Sequence, residues 1–366
     1  MENRSISKTV IMVVCMLLAV LCAGCGTEKK VPHEDAVTTE RNIVVGFSQV
    51  GAESDWRNAN TESMKFALSS TNGYELIYED GQQKQANQIR AIRTFIQQGV
   101  DYIVLAPVTE NGWDTVLQEA KDAGIPVIIV DRMVNVSDET LFTCWVGSDF
   151  ELEAKKISEW LNCFMEQQEI SPEDAHIVNI QGTLGATSQI GRTKGLADAA
   201  EAYRWDLLAE VPGDYTQAKS REVMEELLKQ FDNINVVYCE NDNEAFGAIE
   251  AIEAAGKTVG SDIKSGEIMV LSFDGVNEKA VQYVKEGRIT CIAECNPLHG
   301  PRVQALIEAL EAGETPEKFS FVDEQFFSEY QGITELEIGG IVYPITFPSG
   351  GGTVAAVEVD VSEETE

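Results

Sequence analysis

The feature that most constrains the fold is an alternation of short β-branched runs with longer amphipathic stretches, which begins at Asn42. The short runs are apolar at successive positions rather than at every second one, which is typical of parallel strands covered on both faces. The longer stretches repeat their apolar residues every three or four positions, as helices packed on a sheet do. This alternation predicts a doubly wound α/β architecture.

The alternation occurs twice along the chain. In the first half, strands are predicted at 43–47, 75–78, 102–105 and 126–130, and helices near 55–71, 84–98 and 112–123. In the second half, strands are predicted from Trp145 and at 177–180, 207–211, 236–238, 268–271 and 289–292, with helices near 150–167, 188–202, 216–231, 242–255 and 276–286. We therefore predict two lobes of similar design.

The regular pattern fades after Tyr330. Residues 341–347 are a candidate edge strand, and residues 348–366 form a glycine-rich and then acidic segment. Such a composition does not bury enough apolar surface to order a chain, so we expect an acidic tail with no assigned role.

The N-terminus predicts the cellular compartment. Arg4 and Lys8 precede the apolar run Val10–Leu21, which has the charge-then-hydrophobe order of a secretory signal and is short for a membrane span. The run ends in two small residues before Cys25, which resembles a bacterial lipobox, although Cys22 stands where a leucine is usual. We predict a signal peptide at 1–24 and lipidation of Cys25, with an uncleaved N-terminal anchor as the alternative.

Residues 25–41 are polar and aperiodic, as expected of a tether between a lipid anchor and a folded body. Either form of anchoring places the folded body outside the cytoplasm, on the membrane surface. The formal net charge of −34 disfavours nucleic acid as a partner, because both carry the same sign. The hydrophobic and charged fractions, 44% and 24%, are those of an ordinary folded chain.

The cysteines indicate neither a disulfide framework nor a metal site. Of 8 cysteines, three lie in the predicted signal, and the remaining five are Cys144, Cys163, Cys239, Cys291 and Cys295. An odd number cannot all pair within one chain, and none of the 3 histidines stands at ligand spacing from them. We interpret the five as small buried side chains, with one disulfide between Cys163 and Cys239 as the alternative, and expect no metal and no cofactor.

Polar side chains follow the predicted strands of both halves. In open α/β sheets ligands bind at the carboxyl ends of the strands, so these side chains are the candidate site. The candidates are Gln49, Trp56, Arg57, Asp131, Arg132, Arg192, Asn241, Asp242, Asp274 and Glu294. Carboxylates, amides and guanidinium groups match the donors and acceptors of hydroxyls, and an aromatic ring can cover the C–H face of a sugar. The even mixture of signs favours a neutral, hydroxyl-rich ligand.

Several segments are similar to galactofuranose-type periplasmic sugar-binding proteins, in the ribose/galactose branch of type I binding proteins for ABC importers. They are Val45–Arg57, Asp80–Gln85, Ala106–Val108, Lys121–Pro126, Ile180–Gly182, Asn241–Asp242 and Ser272–Gly275. The resemblance spans about Asn42 to Phe327. It implies two Rossmann-like lobes joined by a three-segment hinge, with the first lobe at 42–147 and 296–320 and the second at 148–295 and 321–347.

The resemblance also implies individual roles. Asp131 and Arg132 would bind ring hydroxyls, and Trp56 and Arg57 would supply the stacking and polar edge. From the second lobe, the residues implied to contribute are Arg192, Asn241 and Asp274, with Glu294 at a crossing segment and Asp242 orienting Asn241. Trp113 is a weaker candidate near the cleft mouth. The chain departs from the family pattern at 148–150, where Ser-Asp-Phe stands in place of Asp-Asn.

Each candidate also has a purely structural interpretation. Asp131 and Arg132 can form a surface ion pair, Trp56 can cover a helix start, and Asn241 can cap a helix. Arg192 can bind an acidic face of its own helix.

By resemblance, we expect a monomeric substrate-binding lipoprotein that binds a galactofuranose-like monosaccharide in the interlobe cleft and delivers it to an ABC transporter permease. The alternative is a sugar-sensing receptor of the same fold that signals through a membrane kinase. A glycosidase needs one carboxyl with a raised pKa, and we expect arginines to keep Asp131 and Asp274 ionised. The chain is therefore not predicted to be an enzyme.

Overall fold

The computed structural model describes residues 41–350. The predicted signal peptide at 1–24, the lipidation site Cys25, nearly all of the tether at 25–41 and most of the tail at 348–366 lie outside the described residues. Within residues 41–350, no helix combines the length and apolar character that crossing a membrane requires.

The described part of the chain contains fourteen strands and nine α-helices. The strands are β1 (Ile43–Gln49), β2 (Tyr74–Asp80), β3 (Tyr102–Leu105), β4 (Val127–Val130), β5 (Cys144–Gly147), β6 (His176–Gln181), β7 (Asp206–Pro212), β8 (Val236–Cys239), β9 (Met269–Asp274), β10 (Cys291–Glu294), β11 (Phe319–Phe321), β12 (Phe326–Ser328), β13 (Glu335–Ile338) and β14 (Ile341–Pro344). The helices are α1 (Asp55–Ala67), α2 (Gln85–Gln98), α3 (Asp114–Asp122), α4 (Phe150–Gln167), α5 (Thr187–Tyr203), α6 (Gln217–Gln230), α7 (Asp242–Ala254), α8 (Glu278–Lys285) and α9 (His299–Glu311).

Each lobe is built on a six-stranded sheet. The first sheet has the order β11-β5-β4-β3-β1-β2, and all of its neighbouring strands are parallel. The second has the order β12-β10-β9-β8-β6-β7, with β12 alone antiparallel to its neighbour. The central strands are buried at every residue, because helices cover both faces of each sheet. The predicted α/β fold with two doubly wound lobes is confirmed.

The chain crosses between the two sheets three times. The first crossing follows β5, the second leads from β10 to α9, and the third joins β11 directly to β12. These three segments run side by side at the base of the cleft, so a small change in their backbone angles changes how the lobes meet.

Polar caps begin the helices that follow the carboxyl ends of the strands. Ser54 caps α1, Asp149 caps α4, Thr216 caps α6 and Asn241 caps α7, each accepting a bond from a backbone N–H of the first turn. Gly99 ends α2 in the left-handed conformation, with φ of 67°, which costs glycine little. Helix N-termini and their polar caps therefore collect at the same edge as the strand ends.

The predicted elements are all present, with shifted ends. The strand predicted at 289–292 is β10 at Cys291–Glu294, and the helix predicted near 55–71 ends at Ala67. In the candidate edge strand at 341–347, Thr346 forms a parallel bridge with Phe327 of the edge strand β12, while Ile341–Pro344 pairs with Glu335–Ile338 as an antiparallel hairpin that packs on α4. The hairpin forms because the two glycines between the strands adopt positive φ and make a tight turn.

The alternative disulfide is not formed. Cys163 and Cys239 are both free thiols, as are the other three cysteines of the described residues. Cys144, Cys239 and Cys291 have no solvent exposure and pack among apolar side chains of the lobe cores, as small hydrophobic residues do.

Candidate functional site

A cavity lies between the two lobes at the carboxyl edge of both sheets. Seven of the residues predicted from the sequence line it: Trp56, Arg57, Asp131, Arg132, Arg192, Asn241 and Asp274. Six further residues complete the lining: Glu53, Ser54, Phe150, Ser188, Tyr215 and Cys295.

Arg57 organises the first-lobe side of the cavity. Its guanidinium group donates to Asp131 Oδ2 at 2.8 Å, to Glu53 Oε1 at 3.1 Å and to Gln49 Oε1 at 3.1 Å. Burial alone would lower the pKa of Arg57, but Asp131 and Glu53 raise it above its ordinary value. Arg57 is therefore charged and fixed by three acceptors, with its guanidinium 4.7 Å from the centre of the Trp56 ring.

Asp131 and Arg132 follow β4 and turn towards the cavity. Asp131 has φ of 63°, and its backbone is held there by bonds with Val146 and Trp145. Burial raises the pKa of Asp131, but Arg57 and Arg132 outweigh this and keep it below the ordinary value. Its carboxylate is thus an ionised acceptor in a water-poor setting, where a hydrogen bond to a ligand is strong.

Arg132 bridges the first lobe and the second. Its Nη1 donates to Val108 O at 3.0 Å, its Nη2 lies 3.6 Å from Glu53 Oε1, and its guanidinium lies 5.2 Å from the centre of the Tyr215 ring. Only 2% of Arg132 is exposed, although its charge is large. A buried charge of this kind is stable only where nearby polar or charged groups compensate it. The groups that compensate Arg132 come from both lobes.

Arg192, on α5, organises the second-lobe side. Its Nε donates to Glu153 Oε2 at 2.8 Å, its Nη2 lies 3.4 Å from Asp274 Oδ1, and its Nη1 donates to Glu240 O. The guanidinium also lies over the Phe273 ring, 4.6 Å from its centre. The acidic partner Glu153 lies on α4 and not on the helix of Arg192, so the alternative of an acidic face on its own helix does not describe this contact.

Asp274 ends β9 in an unusual backbone conformation, with φ of 96°. Asp242 holds this turn in place, because its carboxylate accepts from Ser272 Oγ and Gly275 N, both at 2.8 Å. Burial raises the pKa of Asp274 well above its ordinary value, despite the opposing effect of Arg192. Desolvation therefore opposes the expected effect of the arginine at Asp274, whereas at Asp131 the arginines dominate.

Ser188 and Tyr215 form a hydroxyl pair on the second-lobe wall. The two oxygens lie 2.7 Å apart, and the Tyr215 ring packs over Gly182, where an added Cβ would lie 1.9 Å from the ring. Tyr215 has φ of 61°, with its N–H bonded to Glu244 and its carbonyl to Asn241. The ring is thus fixed by its own backbone and by the close approach of glycine.

Trp56 and Cys295 close the base of the cavity near the hinge. Trp56 Nε1 donates to Cys295 O at 2.7 Å, and the indole packs edge-on against His299. The Cys295 thiol lies 3.3 Å from Ser148 Oγ, which belongs to the first crossing. The indole is 5% exposed and therefore both covers the start of α1 and offers apolar surface to the cavity.

Glu324 joins the three crossing segments. Its Oε1 accepts from Ser148 Oγ at 2.6 Å and from Asn296 N at 2.7 Å, so one carboxyl on the third crossing bonds the other two. The carboxyl groups of Glu324 and Glu153 and the Cys295 thiol lie within 4.8 Å of one another. Burial and the nearby Glu153 raise the pKa of Glu324 well above its ordinary value.

The two lobes also bond directly across the cleft. Asp55 at the start of α1 accepts from Asn277 Nδ2 at 2.6 Å, and its N–H donates to Asn243 Oδ1 at 2.9 Å. On the opposite side, Met133 N donates to Thr187 Oγ1 at 2.8 Å. Contacts between the lobes therefore cross the cleft, as in a closed conformation.

Four predicted residues lie outside the cavity wall. Gln49 positions Arg57, and Asp242 positions the turn of Asp274 rather than orienting Asn241. The Glu294 carboxylate accepts from Gln325 N and Asn296 Nδ2 at the hinge. Trp113 has no solvent exposure, packs in the first-lobe core and bonds Thr109 O. Ligand-binding roles for Glu294 and Trp113 do not agree with these positions, because their polar atoms are bonded elsewhere.

Sequence reasoning missed six lining residues, and only some carried a signal. Glu53 and Ser54 directly precede the predicted Trp56–Arg57 pair, and Ser188 lies one helical turn before Arg192 on the same face. Tyr215 lies in a loop after an edge strand and carries no motif. Its place in the wall depends on the positive φ of its own backbone.

The polar lining is balanced in charge and includes unpartnered atoms. Three carboxyl side chains (Glu53, Asp131, Asp274) face three guanidinium side chains (Arg57, Arg132, Arg192). Among the described residues, Glu53 Oε2 and Arg132 Nε are buried without a hydrogen-bond partner. Such atoms are costly to leave unbonded, and a hydroxyl satisfies both kinds because it donates to one and accepts from the other.

Comparisons with known proteins agree with this geometry. The family model described as a periplasmic binding protein domain matches residues 45–299. The chain is 40% identical over 300 residues to the galactofuranose-binding protein YtfQ of Escherichia coli strain K12, covering 81% of this chain and 91% of that protein.

Two solved structures are similar to this one. A Mycobacterium smegmatis protein in complex with β-D-fucofuranose is 39% identical with a TM-score of 0.73, covering 79% of this chain and 92% of the other. The binding component of the arabinose ABC transporter from Shewanella sp. ANA-3, bound to L-arabinofuranose, is 38% identical with a TM-score of 0.71, covering 78% and 91%. The Escherichia coli and Shewanella relatives are named as binding proteins, and the prediction that the chain is not an enzyme is confirmed. The chain belongs to the periplasmic binding protein domain family.

Proposed function

We propose that this chain binds one neutral monosaccharide of the furanose class, of galactofuranose type, in the cavity between its lobes. The observation that carries the proposal is the pair of buried, unpartnered atoms on the cavity wall, the acceptor Glu53 Oε2 and the donor Arg132 Nε. A sugar hydroxyl bonds both atoms, whereas a carboxylate or phosphate can bond only the donor.

The charge balance of the wall supports the same ligand class. An anionic sugar would need an excess of cationic side chains, and the wall has equal numbers of carboxyl and guanidinium groups. Trp56 and Phe150 add apolar surface against which C–H groups of a sugar can pack. The ligands named for the similar proteins are galactofuranose, fucofuranose and arabinofuranose, which are all neutral furanoses.

By our proposal, Asp131, Arg132 and Glu53 bind hydroxyls from the first lobe, and Arg192, Asn241 and Asp274 bind them from the second. A ligand held by both lobes favours the closed arrangement, because its bonds to the two halves form together only there. Closure then presents one defined surface to a transporter. Delivery to an ABC permease is proposed because a named relative is part of an arabinose ABC transporter.

We also propose that Cys25 is lipidated and holds the protein at the outer face of the cell membrane. Support comes from the sequence of the first 25 residues, with a basic start, an apolar run and a terminal Ala-Gly-Cys. A Cys25→Ser variant is expected to lose incorporation of labelled lipid and to leave the membrane fraction. Retention of label and of membrane association in this variant would contradict the proposal.

A thermal-shift panel of neutral and anionic monosaccharides tests the ligand class. A ligand that binds only the folded state raises the melting temperature by mass action, so we expect a shift with furanose-forming neutral sugars and none with uronic acids. Arg132→Ala should weaken the shift, and Arg93→Ala is the matched control, because Arg93 forms an exposed ion pair with Glu119. A panel in which no neutral monosaccharide shifts the transition would refute the proposal.

The alternative of a signalling receptor uses the same cavity and predicts the same panel. It differs in the partner, so binding of the sugar-loaded protein to vesicles that carry an ABC permease separates the two. Stimulated ATP hydrolysis by the transporter is expected here, and its absence would favour the receptor.

A further inference from the structure

The hydroxyl pair of Ser188 and Tyr215 differs chemically from the rest of the cavity wall. Around it, the polar side chains are mostly charged and bonded to one another, as in the Arg57–Asp131 and Arg192–Asp274 contacts. The pair is neutral, and each hydroxyl is one donor and an acceptor. One donor is used in the mutual bond of 2.7 Å, which leaves one donor and several lone pairs for a ligand.

The pair is held in a fixed position, as a specificity element requires. Tyr215 cannot swing away from the cavity, since its ring packs on Gly182 and its N–H donates to Glu244 Oε1 at 2.8 Å. Ser188 lies in the first turn of α5, one turn before Arg192 on the same face. Both residues are at least 95% buried, so a ligand group beside them has no water to replace a missing bond.

The pair also lies beside a contact between the two lobes. The next residue before Ser188 is Thr187, whose hydroxyl bonds Met133 of the first lobe. Arg132 and Arg192 flank the pair, since the Arg132 guanidinium lies 5.2 Å from the centre of the Tyr215 ring and Arg192 follows Ser188 on the same helix. A sugar ring bonded by these arginines can therefore direct its exocyclic chain to the pair.

Resting on the proposed function, we propose that the Ser188–Tyr215 pair selects the sugar by the terminal hydroxyl, on C6, of its exocyclic chain. The named sugars of the similar proteins form a graded series at this position. Galactose carries a terminal hydroxymethyl group, fucose has a methyl group there, and L-arabinose has the same ring configuration and lacks that carbon. A site built to bond a hydroxyl discriminates strongly against the analogue without it, because its own polar atoms are then unpaired.

Calorimetric titration of the wild type and of Tyr215→Phe with D-galactose, D-fucose and L-arabinose tests this proposal. We expect Tyr215→Phe to weaken galactose binding about tenfold, the size of one lost buried hydrogen bond, and to change the other two sugars less than twofold. Each ratio compares two proteins with one sugar, so the furanose fraction in solution cancels. Tyr203→Phe is the control, because it removes a hydroxyl bonded to Glu159 outside the cavity wall.

The outcomes separate this inference from the proposed function. If the wild type binds none of the three sugars, the proposed function fails. If it binds sugar and Tyr215→Phe weakens all three equally or none of them, the inference alone is overturned. Ser188→Ala should show the same selective loss, and it carries the test if Tyr215→Phe lacks a cooperative melting transition.

Discussion

Replacement of Glu53 by glutamine changes the charge at the centre of the first-lobe network with almost no change in shape. Glu53 Oε1 accepts from Arg57 Nε at 3.1 Å and lies 3.6 Å from Arg132 Nη2, while Oε2 has no partner. The amide oxygen of glutamine can keep the bond to Arg57. The folded state then loses the difference between a charged and a neutral hydrogen bond, about 1–2 kcal/mol in the free energy of unfolding.

The effect on sugar binding should be larger than the effect on folding. Glutamine places an NH2 group where Glu53 Oε2 accepts the proton of a ligand hydroxyl. Loss of a buried hydrogen bond to a charged group costs about 1.5–3 kcal/mol, which corresponds to a roughly tenfold to hundredfold weaker affinity. Titration calorimetry with the best sugar of the panel measures this change, and thermal melting measures the stability change on the same samples.

Glu62→Gln is the matched control, since Glu62 lies on α1 in an ion pair with Lys65 at which both side chains are about half exposed. Exposed pairs of this kind contribute about 0.2–1 kcal/mol, so this variant should bind sugar normally. Unchanged affinity in Glu53→Gln would refute the assignment of Glu53 to the ligand. Equal loss in both variants would show that the effect comes from net charge rather than from the cavity.

Three further predictions follow from buried groups near the cavity. Burial raises the pKa of Glu240 to about 7. The folded state therefore binds this proton more tightly than the unfolded state does. Glu240 contributes its full stabilisation below about pH 4.5 and loses it as the pH rises through 7. Glu240→Gln should therefore flatten the fall in stability over that window by up to about 3 kcal/mol, as followed by denaturant unfolding at each pH, and an unchanged slope would contradict this. Gly182→Ala should push the Tyr215 ring aside, destabilise the protein by about 1–3 kcal/mol and weaken sugar binding; normal affinity would show that the wall tolerates the shift. Glu324→Gln replaces the hinge carboxyl with a neutral group of the same shape. The melting temperature of this variant should match that of the wild type near pH 5 and exceed it at higher pH. The reverse order would mean that the carboxyl is ionised in the folded state.

The fold was predictable because its signals are local and repeated. Runs such as Val127–Val130 are apolar at every position, which only a doubly covered sheet explains. The hairpin at 335–344 was missed, since two short strands joined by Gly339–Gly340 bury little on one face and give a weak pattern.

The candidate site could be predicted for those residues whose position is determined by the end of a strand. Asp131 follows β4 and Asp274 ends β9, so topology alone brings each to the carboxyl edge of its own sheet. The same rule failed for Glu294, which also ends a strand. Its side chain turns to the backbone of the third crossing, and sequence does not encode that direction.

Tyr215 shows what sequence could not supply. It follows an edge strand by three residues, in a loop whose shape depends on left-handed backbone at two successive residues. Contacts from two separate segments, Gly182 and the start of α7 at Asn241 and Glu244, place its ring in the wall. Long-range packing of this kind has no local pattern.

The claim that the interlobe cavity binds a neutral furanose-type monosaccharide is tested most directly by titration calorimetry of the purified protein. The sugars are D-galactose, D-fucose, L-arabinose and D-ribose, with D-galacturonate as the anionic counterpart. We predict saturable binding of one neutral sugar per chain and no heat of binding with galacturonate. No binding of any neutral sugar, or tighter binding of galacturonate than of galactose, would contradict the account.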